Sequence, residues 1–208
     1  MSEAASIITA IGGVLGVLAT VVTAWLGYNQ YTKNRSTDLK IKQLEEIDMK
    51  KNKLRADHAM IIFGELWDLL YKIGADRIYV VQPHPLGHEE MLSIYFEVKH
   101  GGVEGMRDKI QNLNISEVGS FSSELASNSF VAINDINKQI KDKFAQSLMA
   151  TYGAENVFIK RLSNNEYKWN GSIFVEFLDR ADISKEEAER LLKNTAIKIQ
   201  YILPEIKG

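Results

Sequence analysis

Three histidines and two glutamates in the middle of the chain are the residues best suited to bind a metal ion. They are His84, His88, Glu89, Glu90 and His100. Neutral imidazole and carboxylate groups are common zinc ligands, but zinc sites from sequence are recognised by a regular ligand spacing. No helical spacing holds these five residues together, and histidines in loops are most often ordinary polar residues. We therefore assign no metal site and expect no cofactor.

Hydroxyl groups are the other candidates for chemistry. Ser120, Ser122 and Ser123 are close in sequence, but no motif supplies the base that a serine nucleophile needs. The chain has no cysteine, which excludes thiolate nucleophiles, thiolate metal sites and disulfides. Gly101 and Gly102 fit a turn better than a phosphate-binding loop. These observations favour a protein that is not an enzyme.

The balance of acidic and basic residues indicates whether a nucleic acid is an expected partner. The chain carries 25 basic and 27 acidic residues, which gives no argument for a nucleic-acid partner.

The elements that would position these side chains follow from the hydrophobic pattern of residues 55–208. Hairpin-like pairs of strands imply an α+β fold with a mostly antiparallel sheet, and the first and last helices would pack on one face. Residues 103–130 are expected to be loop-rich with short helical pieces. Strands are predicted at 77–82, 92–99, 156–162 and 172–179. Helices are predicted at 36–73, at 135–152 and between the capping box of Ser184 and Glu187 and the stop at Pro204.

The first 32 residues contain a long apolar segment. Residues 7–28 are 22 positions without a charge, and a helix of that length spans ~33 Å, about one hydrocarbon core. A signal peptide would need a basic start and a shorter apolar core, and a soluble buried helix would show a polar edge. Of these three interpretations, a transmembrane helix within residues 1–32 is favoured.

The end of this segment predicts an orientation. Trp25 and Tyr28 fit an aromatic belt at a membrane interface, and Lys33 and Arg35 follow directly. The positive-inside rule then places the C-terminal part in the cytoplasm and the N-terminus outside.

Small residues recur every four positions along the apolar segment. Gly12, Gly16, Thr20 and Ala24 would share one helix face and let a second helix approach closely. We predict packing between copies of this helix, hence a homo-oligomer, although such stripes also arise as ordinary membrane-helix composition.

Three segments follow from these patterns. Residues 1–32 form the short N-terminus and transmembrane helix, residues 33–54 a charged linker helix, and residues 55–208 an α+β domain. The helix that opens the domain has a second apolar face, formed by Met60, Phe63, Trp67 and Leu70.

The segment "GADRIYVVQPHP" resembles the first strand of small GAF-like proteins common in tailed phages, which often read "ADRVYVFQFHNG". Gln82 and His84 match that pattern, whereas Pro85 replaces the usual Asn-Gly; "GVEGM" and "NISEV" resemble the middle of the same proteins. The resemblance implies a GAF-like domain over residues 55–208. It also implies a small-ligand pocket between the sheet and residues 83–130, lined by Gln82, His84 and Tyr95, unless the core is filled.

The closing "NGSIFVEFLDRADISKEEAERLL" resembles the end of the T holins of T-even phages, which have one span and a globular C-terminal domain. This resemblance implies a phage-encoded, self-associating protein with holin-like or lysis-regulating action on the bacterial inner membrane. Its partners would be the lipid bilayer, further copies and a host or phage regulatory protein. The alternatives are a membrane-tethered GAF-like sensory or adaptor module that binds a ligand or host protein, and a virion or membrane structural component. The T holins place their globular domain in the periplasm, the side opposite to the one that the charge pattern predicts.

Overall fold

The computed structural model of the chain describes residues 2–88 and 90–204. Within its first helix, the side chains at 2–19, 21, 22, 24, 31, 32, 34, 36–39 and 43 lie outside this description. The chain divides into two compact units, Met1–Leu54 and Arg55–Gly208.

Helix α1 covers Ser2–Ile73, a length of 72 residues. In the parts that the structure describes, no helix combines the length and the apolar character needed to cross a bilayer. Gly12, Gly16 and Ala24 lie outside the described side chains, so the packing stripe and the transmembrane helix both stay predictions. The remaining N-terminal candidates are exposed, namely Thr20, Trp25, Tyr28, Lys33 and Arg35.

The last turns of α1 are buried because their apolar residues recur with helical spacing. Ile62, Leu66 and Leu69 are at most 1% exposed. The helix ends at Ile73 and is followed by Gly74, whose φ of +67° lies in the left-handed region that glycine tolerates. The N–H of Gly74 donates to the carbonyl of Leu70 at 3.1 Å and satisfies one of the last free carbonyls.

Six antiparallel strands form one sheet in the order β3-β2-β1-β6-β5-β4. The α+β fold class with an antiparallel sheet is therefore confirmed. The strands are β1 (Arg77–His84), β2 (Met91–Lys99), β3 (Leu113–Asn114), β4 (Phe130–Ile133), β5 (Asn156–Leu162) and β6 (Gly171–Phe177).

Two apolar layers cover the two faces of the sheet. One contains the end of α1 and helix α5 (Lys185–Ile199), as predicted for the first and last helices. The other contains the segments between β2 and β5. Those segments are a 3₁₀ turn (Ile115–Val118) and helices α2 (Gly119–Ser127), α3 (Ile136–Gln139) and α4 (Lys143–Thr151).

Three local predictions are corrected. The helix predicted at 135–152 is two helices, because Asp142 caps the second by accepting from the N–H of Ala145 at 3.1 Å. Residues 103–130 contain the expected short helical pieces, the 3₁₀ turn and α2, but also the strand β3 and the first residue of β4, which were not predicted. Strand β1 continues through Pro83 to His84. Pairing of β1 with β6 ends at Val81, so the N–H group that Pro83 lacks has no hydrogen-bond partner to lose on that side of the strand.

Candidate functional site

The interior space considered for a small ligand is filled by side chains. It lies on the sheet face opposite α1 and α5, where Tyr79 and Phe174 stack at 5.0 Å and Phe121 packs beside them. The remaining cavity among these residues measures about 30 Å³. Ligand pockets usually measure roughly 300–1,000 Å³, so this one holds no more than about one water molecule.

The three predicted pocket residues lie away from that cavity. The amide nitrogen of Gln82 donates to the carbonyls of Asn170 and Pro204, at 3.4 and 3.3 Å. His84 is 3.0 Å from the hydroxyl of Ser93 through its Nε2 atom, and its ring meets Tyr95 edge to face at 6.4 Å. Burial lowers the pKa of His84, which favours the neutral ring.

The other candidates for chemistry are dispersed. Over residues 2–88 and 90–204, no three histidine or carboxylate side chains come together to hold a metal; Glu89 lies outside that description. His100 packs its ring against Tyr71 at 5.7 Å. Ser120 donates to the helix-capping carboxylate of Asp142 at 3.0 Å, and the buried hydroxyl of Ser122 has no hydrogen-bond partner in the structure.

A groove of about 580 Å³ runs along the outer edge of β2. Tyr95 packs toward the layer of α1 and α5, whereas Glu97 and Lys99 lie on the opposite face of the strand. Because the groove contacts residues from both faces, it lies along the strand edge itself. Residues 104–105, 107–109 and 111 form its other wall.

Most of this edge has no neighbouring strand. Strand β3 pairs only with Met91 and Leu92 of β2. At Ile94 the edge is hydrogen-bonded to the segment that follows β2. The Ile94 N–H donates to the carbonyl of Ile110 at 2.9 Å, and the side-chain amide of Gln111 donates to the Ile94 carbonyl at 2.8 Å. The edge beyond Ile94 is open.

The register shows which main-chain groups point into the opening. Hydrogen-bonded and non-hydrogen-bonded pairs alternate along an antiparallel ladder. The His100 N–H donates to the Asp76 carbonyl at 3.0 Å, so the pairs that Lys99 and Glu97 make with β1 belong to the non-hydrogen-bonded class. The N–H and C=O groups of Glu97 and Lys99 therefore point away from β1. Among the described residues, they have no hydrogen-bond partner.

Side-chain contacts fix the opposite wall of the groove. The Glu97 carboxylate accepts from the N–H of Met106 at 2.5 Å and from that of Arg107 at 3.2 Å. A side chain at Gly105 would come within 2.8 Å of this carboxylate, which explains the glycine. Lys109 pairs with Glu104 at 3.3 Å. The wall is therefore held in place by contacts that do not depend on a ligand.

A buried charged cluster supports the same wall from below. Arg77, Tyr79 and Glu176 are fully buried. The Nε of Arg77 donates to Glu176 at 2.8 Å, and the hydroxyl of Tyr79 donates to the other carboxylate oxygen at 2.5 Å. Arg77 also donates to the carbonyls of Glu104 and Tyr152. The cluster thus ties the groove wall to the centre of the sheet.

Burial dominates the electrostatics of the cluster. It raises the pKa of Glu176, while the Arg77 guanidinium and the Tyr79 hydroxyl oppose that rise. Burial and the nearby Glu176 carboxylate raise the pKa of Tyr79 well above its ordinary value. The sequence patterns did not predict this cluster. The sequence feature that indicates it is Glu176, a single acidic residue inside the otherwise apolar strand "SIFVEF".

Comparison with solved structures identifies the domain fold as GAF-like. The chain is similar to GAF3 of a Synechocystis sp. PCC6803 protein in its photoproduct state, with 11% identity, a TM-score of 0.57 and coverage of 69% of this chain and 90% of that one. A far-red absorbing dark-state protein with bound biliverdin IXa matches with 10% identity and a TM-score of 0.52, covering 65% and 83%. The chromophore-binding domain of an R. palustris bacteriophytochrome matches with 15% identity and a TM-score of 0.51, covering 76% and 60%.

Sequence comparisons add no relative. No protein-family model matches the chain, and no curated protein matches it.

These similarities correct the predicted function. The matched structures are photoreceptor domains of the GAF type, not holins. The prediction of a phage holin or lysis regulator is therefore wrong, whereas the GAF-like part of the resemblance is confirmed. The closing segment "NGSIFVEFLDRADISKEEAERLL" contains the last strand and most of the last helix of the GAF-like domain, so its similarity to T holins reflects elements of this fold.

Proposed function

We propose that this chain is a non-catalytic sensory or adaptor module that binds an extended segment of a partner polypeptide along the open edge of β2. The observation that carries the proposal is the groove of about 580 Å³ at an edge whose main-chain groups are unpaired. Extended peptides commonly bind such edges by adding a strand to the sheet.

A buried chromophore does not fit this chain. One structural neighbour holds biliverdin IXa, and a ligand of drug size or larger needs roughly 300–1,000 Å³. The interior cavity of this domain measures about 30 Å³ and is lined by aliphatic side chains together with the rings of Tyr79, Phe121 and Phe174. The chain therefore shares the fold of that neighbour without room for an interior ligand of that size, which favours recognition at the surface.

The edge offers a defined set of contacts. Glu97 and Lys99 together present two N–H donors and two C=O acceptors on one line. Arg107 and Asp108 are exposed on the opposite wall and would select among peptides by charge. Main-chain hydrogen bonds would supply affinity, and these side chains would supply specificity.

Replacing Lys99 by proline tests strand addition. We expect the Lys99→Pro variant to lose roughly tenfold or more in peptide affinity, since it removes one donor worth about 1 kcal/mol and obstructs the edge. The sheet should survive because this N–H makes no bond to β1. Binders selected from a random linear heptapeptide library against the full chain would be measured by fluorescence anisotropy.

The matched control is Lys99→Ala, which loses the side chain but keeps the N–H group. We expect its affinity to stay within about threefold of the parent, on the scale of one exposed contact. Equal loss in both variants would assign binding to the side chain and contradict strand addition. A library that yields no binder to the parent chain would contradict the proposal as well.

We also propose that the apolar N-terminal segment holds the module at a bacterial inner membrane, with the domain in the cytoplasm. The support is the uncharged run 7–28 followed by Lys33 and Arg35. Trp25 and Tyr28 are 62% and 69% exposed, an arrangement that suits a membrane interface.

Membrane fractionation tests the tether. We expect the full chain to stay in carbonate-washed membranes and a double substitution, Val17→Arg with Val21→Arg, to release it, since each mid-span arginine costs about 2.5–3.5 kcal/mol. A control with Lys33→Arg keeps the charge and should remain bound. A parent chain found in the soluble fraction would contradict the membrane tether. A reporter fused after Gly208 that works only in the periplasm would contradict the predicted orientation.

A further inference from the structure

We propose that a second copy of this chain docks on an exposed apolar face of α1, with Gly64 at the centre of the contact. This face, here called the Gly64 face, is formed by Met60, Ile61, Gly64, Trp67 and Tyr71. It lies within the unit Arg55–Gly208, and the proposal is independent of the peptide groove.

The Gly64 face is apolar although the domain does not use it. Met60 and Tyr71 are each 69% exposed, Ile61 is 49% exposed and Trp67 is 38% exposed. The inward face of the same turns already packs on the sheet. A helix at the surface of a monomer needs only one apolar stripe, and a second contiguous one marks an interaction site.

Gly64 has no explanation inside one copy. It lies in the middle of a regular helix, where glycine is the poorest residue after proline. A Cβ atom at this position would meet nothing within 4 Å. Met60 and Ile61 precede it by one turn and Trp67 follows by one turn, so the glycine is a gap among large side chains. Such a gap lets a second helix approach more closely than side chains normally permit.

A second copy is the occupant that these features favour. In a two-fold symmetric dimer the same surface patch of each copy contacts that of the other, and a residue on the symmetry axis contacts the same residue of the second copy. A glycine there allows two identical helices to cross without a clash. Trp67 and Tyr71 stack on each other at 5.8 Å within one copy, which provides a rigid aromatic anchor of the kind that dominates interface energetics.

The exposed area of the Gly64 face and the charges at its border both fit a second copy of this chain. The four large side chains expose roughly 400–500 Å² per copy, given typical side-chain areas, so two copies approach the ~1,000 Å² that a specific interface needs. At the border, Asp68 pairs with Lys72 at 2.6 Å and Glu65 with Lys198 at 2.7 Å. Association therefore does not bury these two carboxylates without a partner.

Disulfide trapping tests the contact in the full chain, which has no cysteine of its own. We expect Gly64→Cys to form a disulfide-linked dimer as the main product under mild oxidation, because the symmetry axis places the two sulfurs together. The control is Lys193→Cys, an exposed position on α5, which should remain mostly monomeric. Equal trapping at both positions, or a linked product with another protein, would overturn the proposal.

A second variant separates docking from folding. A Cβ atom at Gly64 meets nothing within 4 Å, so Gly64→Leu fills the gap from an open position, and its thermal unfolding should match or exceed that of the parent. We expect its dimer affinity in detergent to fall at least tenfold by sedimentation. A leucine variant that dimerises like the parent would assign association to another segment, such as residues 1–32, and would reject the Gly64 face.

Discussion

Replacing Arg77 by methionine is expected to lower the free energy of unfolding by about 3–5 kcal/mol, because the change leaves a buried carboxylate without its cation. Arg77 and Glu176 are both fully buried. The guanidinium also donates to the carbonyls of Glu104 and Tyr152, and the variant would leave these without that donor. Chemical denaturation of the full chain measures the loss.

Acid pH should reduce this loss. Burial raises the pKa of Glu176, and Arg77 opposes that rise. Without Arg77 the folded carboxyl holds its proton to higher pH than the unfolded one. A group with a raised folded pKa contributes stability at low pH and loses it as pH rises. The deficit of Arg77→Met should therefore be larger at neutral than at acid pH, and a deficit independent of pH would contradict this cause.

A double variant provides the matched control. Removing both charges, with Arg77→Met and Glu176→Gln, should recover a substantial part of the stability, because no buried charge is then left unpaired. Tyr79→Phe removes only one donor to the same carboxylate and should cost about 1–2 kcal/mol. If the double variant is as unstable as Arg77→Met, packing of the arginine stem and not its charge holds this region together.

Replacing Phe174 by alanine is expected to cost about 3–5 kcal/mol, since it empties the centre of the filled layer. Phe174 is 3% exposed and stacks on Tyr79 with an angle of 10° between the rings. The new cavity should bind benzene and regain part of the lost thermal stability. Thermal unfolding with and without benzene measures both effects.

Phe130 offers a comparison for this substitution. It lies on the edge strand β4, is partly buried and stacks on Phe158 at 6.2 Å. Phe130→Ala should lose less stability and gain no benzene binding, because its side chain borders solvent. A parent chain that benzene stabilises as strongly as Phe174→Ala would show that the interior already accepts a ligand, and would undermine the surface-recognition proposal.

Periodicity in the sequence predicted the elements that bury a whole face. The end of α1 has apolar residues at helical spacing, β2 alternates in sequence, and β1, β5 and β6 are rich in β-branched and aromatic residues. The structure confirms these elements within a few residues. Strands β3 and β4 have two and four residues, too few for a pattern, and exist only because a neighbouring strand pairs with them. The apolar spacing through Ile140 suggested one helix, but it could not reveal the cap at Asp142.

The site was harder to predict than the fold. The sequence of β1 and β2 predicts a ligand pocket lined by Gln82, His84 and Tyr95. Whether such a pocket exists depends on side chains from α2, α4 and β6, which come together only in the folded chain. The open edge at Glu97 and Lys99 follows from the hydrogen-bond register, which alternation alone does not fix. Likewise, the ion pair of Arg77 and Glu176 joins residues 99 positions apart.

The position of β1 in the sheet bears on synthesis at the ribosome. Strand β1 pairs with β2, which follows it closely, and with β6, which begins at Gly171. Until β6 emerges, a nascent chain can pair β1 only with β2, and the inner edge of β1 stays unpaired. Such an apolar edge is prone to join other chains. We therefore expect the nascent domain to depend on chaperones, and we expect truncation before residue 171 to yield aggregates, not a smaller fold.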